Sequence, residues 1–282
     1  LAQAEDDHLM KMWEGLGYIT GPEFKGSARM IMSEYGGCLP ASFDELIRLP
    51  GIGSYTAGAI ASIAYGIPLP AVDGNVLRVI SRLLGDREDI KKASVKAGIE
   101  AELKAVMPQD EASHYNQGLI EIGALVCIPG GEPRCSQCPL ASICLTRKNG
   151  WWKEIPYKSP AKARKIEERT VFIIEYQDKV AIRKRPPKGL LASLYELPNI
   201  EGKTSGETVP QVLGLDREQV AWVELLPEAK HVFSHVEWHM TGYRVVLSQE
   251  EEPLSCFMVS REELEHTYAL PNAFNAYTKL IG

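Results

Sequence analysis

Residues 127–144 read CIPGGEPRCSQCPLASIC, which places Cys127, Cys135, Cys138 and Cys144 in a C-x7-C-x2-C-x5-C array. Four of the six cysteines therefore stand in one loop, directly after the apolar helical run NQGLIEIGALVC. Thiolates at this density suit a four-sulfur metal site. Zinc and an iron–sulfur cluster both accept four cysteines, so spacing alone does not choose between them. Two disulfides are the rival reading, and the intracellular character of the rest of the chain argues against stable ones. Either metal would staple the loop; neither by itself names an activity.

Upstream, LIRLPGIGSYTAGAIASIAYG (46–66) pairs an apolar helix with a tight turn and a second helix rich in Ala and Gly. This is a helix-hairpin-helix pattern, with Leu49, Gly51 and Gly53 in the turn. Glycines let the backbone approach a phosphate, and the N–H groups that open the next helix face the anion. Such a contact anchors a duplex without reading its sequence; the plainer alternative is an ordinary helical corner. Next, PLPAVDGNVLRVISRLLG (68–85) sets Asp73 before a helix with Val76, Leu77, Val79, Ile80, Leu83 and Leu84 at helical spacing. Asp73 is a natural N-cap, and a carboxylate there can cap and serve chemistry together.

The elements around these residues divide the chain. Residues 1–150 read as mostly helical, 151–169 (WWKEIPYKSPAKARKIEER) as a linker, and 170–282 as strands with helical segments near 210–215 and 261–266. At 282 residues, two domains are the natural expectation. No run of 18 apolar residues exists to span a membrane, and no signal peptide is evident. The net charge of −6 is unusual for a nucleic-acid binder, so any phosphate contact must be local. Lys153, Lys158, Lys162, Arg164, Lys165 and Arg169, together with RKRPPK (183–188), form the densest basic stretches.

WEGLGY, LPGIGSYTAGAI, AVDGNVLRV, GALVC and the four-cysteine loop, in this order, resemble the helix-hairpin-helix base-excision DNA glycosylases, and among them the MutY-type adenine DNA glycosylases. The resemblance implies a mainly α helix-hairpin-helix glycosylase domain with an iron–sulfur loop, followed by an α+β Nudix-like domain. It implies one 4Fe–4S cluster on Cys127, Cys135, Cys138 and Cys144, with zinc as the alternative. The first cysteine gap is seven residues where the family has six, an insertion a loop absorbs. The implied reaction flips adenine out of a duplex opposite 8-oxoguanine and hydrolyses its N-glycosidic bond. Asp73 would stabilise the sugar cation or attack C1′, Tyr55 would lie beside the sugar, and Leu16 and Tyr18 would wedge into the stack. Endonuclease III-like relatives carry a Lys nucleophile where this chain has Tyr55, which argues against a Schiff-base lyase.

The C-terminal half resembles the Nudix-like domain appended to MutY-type enzymes. RKRPPKGLLASLYELPNIEG matches its opening strands, but KTSGETVPQVLGLD lacks the Glu-rich metal-binding helix, so a reader rather than a pyrophosphohydrolase is expected. The matching reading loop is Phe233-Ser234-His235, facing 8-oxoguanine. His231, His235 and His239 could suggest zinc, but the alternation of Val232, Val236, Trp238 and Met240 predicts one strand, with the imidazoles ~13 Å apart.

Two departures remain. The family's general acid is a Glu well upstream of WEGLGY, and Glu5, Glu14 and Glu23 do not match its motif. Residues 1–282 are therefore expected to bind adenine:8-oxoguanine duplexes but to excise adenine very slowly, if at all; a lesion-binding fragment is the alternative class. ITGPEFKG (19–26) replaces an Arg-rich helical segment, and Gly21, Pro22 and Gly26 predict the absence of a helix there. A monomeric cytoplasmic protein, at the nucleoid if bacterial, completes the expectation.

Overall fold

The computed structural model describes residues 1–16 and 21–281. It contains two compact units, one built from Leu1–Lys25 with Lys162–Gly282 and the other from Gly26–Ala161. The chain opens with α1 (Asp6–Trp13) and α2 (Gly21–Glu34). The second helix corrects the expectation for residues 21–26, while Ile19 and Thr20 lie outside the described residues. Pro22 falls in the first turn, where its missing N–H costs nothing. Gly26 lets the helix lie against Pro50, with Ser27 Oγ donating to the Pro50 carbonyl at 2.5 Å.

The unit Gly26–Ala161 is helical: α3 (Phe43–Leu46), α4 (Ser54–Ala59), α5 (Gly74–Leu84), α6 (Ala93–Val106), α7 (Ala112–Glu121) and α8 (Leu145–Asn149). Helices α4 and α7 each run on into a π-helical turn, Ile60–Ala64 and Ile122–Val126. Val76, Val79 and Ile80 of α5 bury against Ile99, Leu103 and Leu119, so α5 is the central helix of this core. Its apolar spacing was readable, and burial of each aliphatic side chain stabilises it by about 1.5–3 kcal/mol.

The other unit is a mixed sheet with helices on both faces. Its strands are β1 (Lys165–Tyr176), β2 (Lys179–Lys184), β3 (Tyr195–Glu196), β4 (Asn199–Glu201), β5 (Val220–Val232), β6 (Val236–Leu247) and β7 (Phe257–Ser260). The order is β3-β2-β1-β6-β5, with β1 and β6 parallel, β4 on β1 and β7 on β2. Along β1, Val171 and Ile173 enter one core while Phe172 and Ile174 enter the other, as period two requires of a strand covered on both faces. Helix α9 (Val209–Leu213) packs on the second face. Helix α10 (Arg261–His266) starts at a Ser260–Glu263 capping box, and α11 (Asn275–Thr278) brings Tyr277 into the first core.

Strand β5 escapes the alternation argument because Pro227 and register shifts at Val220/Trp222 and Leu226/Ala229 break its period. Its presence also corrects the reading of the histidines. HVFSHVEWH is a hairpin, not one strand: His231 faces Trp238 and Lys230 faces His239 across β5 and β6. No helix among the described residues is long and apolar enough to cross a membrane.

Candidate active site and cysteine cavity

The hairpin between α3 and α4 is shaped by Gly51, whose φ of +76° is open to glycine at no steric cost. Gly53 stands at the N-cap of α4 in extended conformation and offers no side chain to its first turn, so those N–H groups are available to an anion. Leu49 departs from its expected role. Its side chain is 2% exposed and packs with Leu46, Ala57 and Ala61, so only its backbone belongs to the turn surface; its carbonyl accepts from Ile52 N–H at 3.1 Å.

Helix α4 then carries Tyr55 towards Asp73. Burial first, and the Asp73 carboxylate second, raise the Tyr55 phenol above its ordinary value, so the two groups share a local field. Asp73 caps α5, with Oδ1 accepting from the N–H of Asn75 at 2.9 Å and of Val76 at 2.8 Å. Its Oδ2 accepts from the Asn75 amide at 2.8 Å. The carboxylate is half-buried and Tyr55 is exposed, which leaves both reachable from solvent.

Residues behind the site were not singled out from sequence. A Cβ on Gly58 would lie 2.2 Å from the Pro70 carbonyl oxygen, and one on Gly123 would lie 2.5 Å from Asn75 Cβ. Both close approaches press helices against the segment that bears Asp73. The buried Asn116 amide accepts from Ala71 N–H at 3.0 Å and donates to Leu69 O and Ser62 Oγ, each at 2.8 Å. Arg78 donates to Asn75 Oδ1, Gly123 O and Cys127 O. Burial, first among its causes, lowers the Arg78 pKa. Arg82, one turn on, donates to Ile155 O at 2.8 Å, Trp152 O at 3.2 Å and Cys127 Sγ at 3.3 Å. The readable signal was a pair of arginines at i and i+4 on an otherwise apolar helix: each is 5% exposed, and a buried guanidinium must be paired.

All four loop cysteines line one cavity of about 270 Å³, with Arg82, Arg147 and Trp152 on its wall. All four are free thiols, as are Cys38 and Cys256. Burial and then the neighbouring Cys144, Cys127 and Cys138 raise the Cys135 thiol, which places Cys135 within the field of the other three. Among the described residues no three His, Cys, Asp or Glu groups are arranged to hold a metal ion. The thiols surround a space.

In the other unit, Phe233–His235 is the tip of the β5–β6 hairpin. Phe233 turns inward, its ring 4.5 Å from His231 and 4.9 Å from Trp238. Ser234 and His235 are exposed. The tip is held by Phe233 N–H to Val236 O at 2.8 Å and by Arg164 Nε to Phe233 O at 3.0 Å. Leu16 is 54% exposed, and Tyr18 lies outside the described residues. Glu14 is engaged, accepting from Leu270 N–H at 2.9 Å and pairing with Lys11 at 2.7 Å.

Comparison with known proteins agrees with both halves. The helix-hairpin-helix motif profile matches residues 34–63 and the NUDIX domain profile matches residues 170–280. An adenine DNA glycosylase of Buchnera aphidicola subsp. Schizaphis graminum is 30% identical over 251 residues, covering 88% of this chain and 71% of that protein. The Homo sapiens adenine DNA glycosylase is 28% identical over 332 residues, covering 97% of this chain but 60% of the human one. A non-covalent endonuclease III–DNA complex aligns with 33% identity and a TM-score of 0.41, over 48% of this chain and 61% of that one. On the Buchnera match, the chain belongs to the adenine DNA glycosylase family.

Proposed function

We propose that this protein excises adenine paired with 8-oxoguanine from duplex DNA by hydrolysis of the N-glycosidic bond. The observation that carries the reading is the Asp73 carboxylate, fixed by three hydrogen bonds at the start of α5 beside the Tyr55 phenol. As the C1′–N9 bond lengthens, positive charge develops on the sugar, and a preorganised carboxylate stabilises it without reorganising. Water supplies the new C1′ oxygen and releases its proton to bulk solvent. The leaving adenine takes up a proton from bulk solvent, since no residue of this chain is assigned as its general acid; excision is therefore slow. Tyr55 stays protonated at neutral pH, so it acts as a neutral hydrogen-bond donor at the sugar. With Tyr rather than Lys at this position there is no amine to form a Schiff base, and the product is an intact abasic strand.

The turn at Gly51 and Gly53 anchors a phosphate, and exposed Ser234 and His235 read the base opposite adenine; a hydroxyl both donates and accepts there. Cys127, Cys135, Cys138 and Cys144 would hold a 4Fe–4S cluster: the donor set is all thiol and the four line one cavity. When bound, the cluster contributes a rigid cross-link for the loop that Arg78 and Arg82 tie to α5.

The test is single-turnover release of adenine from labelled duplexes carrying adenine opposite 8-oxoguanine, guanine or thymine, with borohydride present in parallel. Free adenine, fastest opposite 8-oxoguanine and with no borohydride-trapped adduct, is expected. A trapped covalent adduct would overturn the hydrolytic reading, and equal rates on all three pairs would overturn the lesion preference.

A further inference from the structure

Strand β5 is an edge strand: among the described residues its only strand partner is β6. Its first half leaves a row of backbone N–H and C=O groups at the free edge, the template on which another strand adds. Later in the strand that edge is blunted by Pro227, a register shift and Lys230; Val220–Leu226 carries no proline or lysine, and its one irregularity is the register shift between Val220 and Trp222. Trp222 is 46% and Leu225 64% exposed along it. Beside this stretch runs an open groove of about 680 Å³, walled by Pro210, Leu215 and Trp222 and flanked by Glu207, Asp216 and Arg217.

The electrostatics name the class of occupant. Between Gly206 and Glu228 the chain carries Glu207, Asp216, Glu218, Glu224 and Glu228 against Arg217, and with Arg244 3.9 Å from Glu224 and Lys203 3.5 Å from Glu228 the face is still net acidic. Nucleic acid is repelled by such a surface, and an anionic partner gains nothing from it. We propose that the Val220–Leu226 edge and its groove bind an extended, basic segment of a partner protein by strand addition. The main-chain ladder supplies affinity, an apolar side chain seats against Trp222 and Leu215, and flanking lysines or arginines meet Glu207 and Glu224. At about 3.4 Å per residue, this stretch accommodates a segment of roughly seven residues. The inference is independent of the catalytic reading, since none of these residues belongs to the proposed active site.

The experiment uses the full chain and a dye-labelled decapeptide of alternating lysine and valine, followed by fluorescence anisotropy at low salt. Saturable binding is expected, weakened about tenfold or more by Trp222→Ala and, separately, by Glu224→Lys. The same peptide N-methylated at alternate residues cannot donate into a ladder and should not bind, nor should a glutamate–valine counterpart. Circular dichroism verifies that each variant folds, and Leu225→Lys replaces Trp222→Ala if that one does not. Absence of saturable binding overturns the proposal, as does undiminished binding of the N-methylated peptide. A Trp222-dependent dimer of the protein in sedimentation, with no peptide binding, would assign the edge to a second copy and likewise overturn it.

Discussion

Arg78 donates from Nη2 to Asn75 Oδ1 at 2.8 Å, while the amide of the same Asn75 donates to Asp73 Oδ2 at 2.8 Å. Arg78 Nε reaches the carbonyl of Cys127 at 2.7 Å. Three hydrogen bonds thus join the Asp73 carboxylate to the first cysteine of the loop, and one guanidinium sets the flip of the Asn75 amide. Replacing Arg78 by Ala leaves Asn75 Oδ1, Gly123 O and Cys127 O without their donor. At about 1–3 kcal/mol for each unsatisfied buried group, the thermal midpoint should fall and excision should slow together. Lys at this position carries one point charge in place of a planar fork, so Arg78→Lys should recover folding better than rate. Full rate with Arg78→Ala would show that the chain of bonds does not position Asp73.

The cysteine cavity predicts a coloured protein. Purified under anaerobic conditions, it should show a broad absorbance near about 410 nm from thiolate-ligated iron, and Cys138→Ser should bleach it and loosen the loop. Cys256 is buried and its thiol is pushed up to about 12 by burial, so it should remain unreactive towards alkylation in the folded state. A colourless preparation with one equivalent of zinc would replace the cluster reading.

Backbone geometry separates two glycines that look alike in sequence. Gly51 has φ +76°, so Gly51→Ala adds strain of roughly 1–2 kcal/mol and should weaken binding to every duplex. Gly53 has φ −93°, and a Cβ there meets nothing within 4 Å. Gly53→Ala should therefore add no strain and cost only about 0.5–1 kcal/mol as a poorer N-cap, and a loss of duplex affinity in the folded variant reports on a phosphate at the turn. Ser234→Ala should act on neither, but should reduce preference for 8-oxoguanine over guanine by about 1 kcal/mol, the worth of one neutral hydrogen bond. Equal loss on both duplexes would remove Ser234 from the reading role.

Alkali should unfold the sheet-containing unit through Tyr277. Its side chain is 1% exposed, donates towards Met240 O at 3.1 Å and Pro227 O at 3.2 Å, and its pKa is raised to about 12 by burial and then Glu228. A phenol raised in the folded state stabilises it fully below the unfolded value near 10. That stability, of order 2–3 kcal/mol, is lost as pH climbs from about 10 to about 12. Tyr277→Phe should cost on the order of 1 kcal/mol at neutral pH and flatten the alkaline slope of the urea midpoint. An unchanged slope would locate the alkaline transition elsewhere.

What the sequence disclosed follows from which interactions are local. Asp73 as a cap, the spacing on α5, the four cysteines and the alternation in β1 and β6 all depend on near neighbours in the chain. Arg78, Arg82 and Asn116 act across 45 to 73 residues, and no local pattern announces such partners. The error at residues 21–26 came from weighing Gly and Pro by propensity alone, where position in the first turn and contact with Pro50 decide. Strand β5 was hidden by its own irregularities, and with it the hairpin that presents Ser234.

The sharpest prediction concerns charge at Asp73. Asn caps helices as well as Asp does, so Asp73→Asn should keep α5 intact and the thermal midpoint within about 1 kcal/mol of the parent. It removes only the negative charge opposite the developing sugar cation. Duplex binding should persist while adenine release falls on the order of 10² to 10⁴. Tyr55→Phe keeps the ring and loses the hydroxyl, so its effect should be smaller, about tenfold for one neutral hydrogen bond. In the double variant the losses should not multiply, because both groups act on the same sugar and lie in each other's field. Release at the parental rate from Asp73→Asn would show that this carboxylate is a cap and nothing more, and the mechanism would have to be rebuilt around another residue.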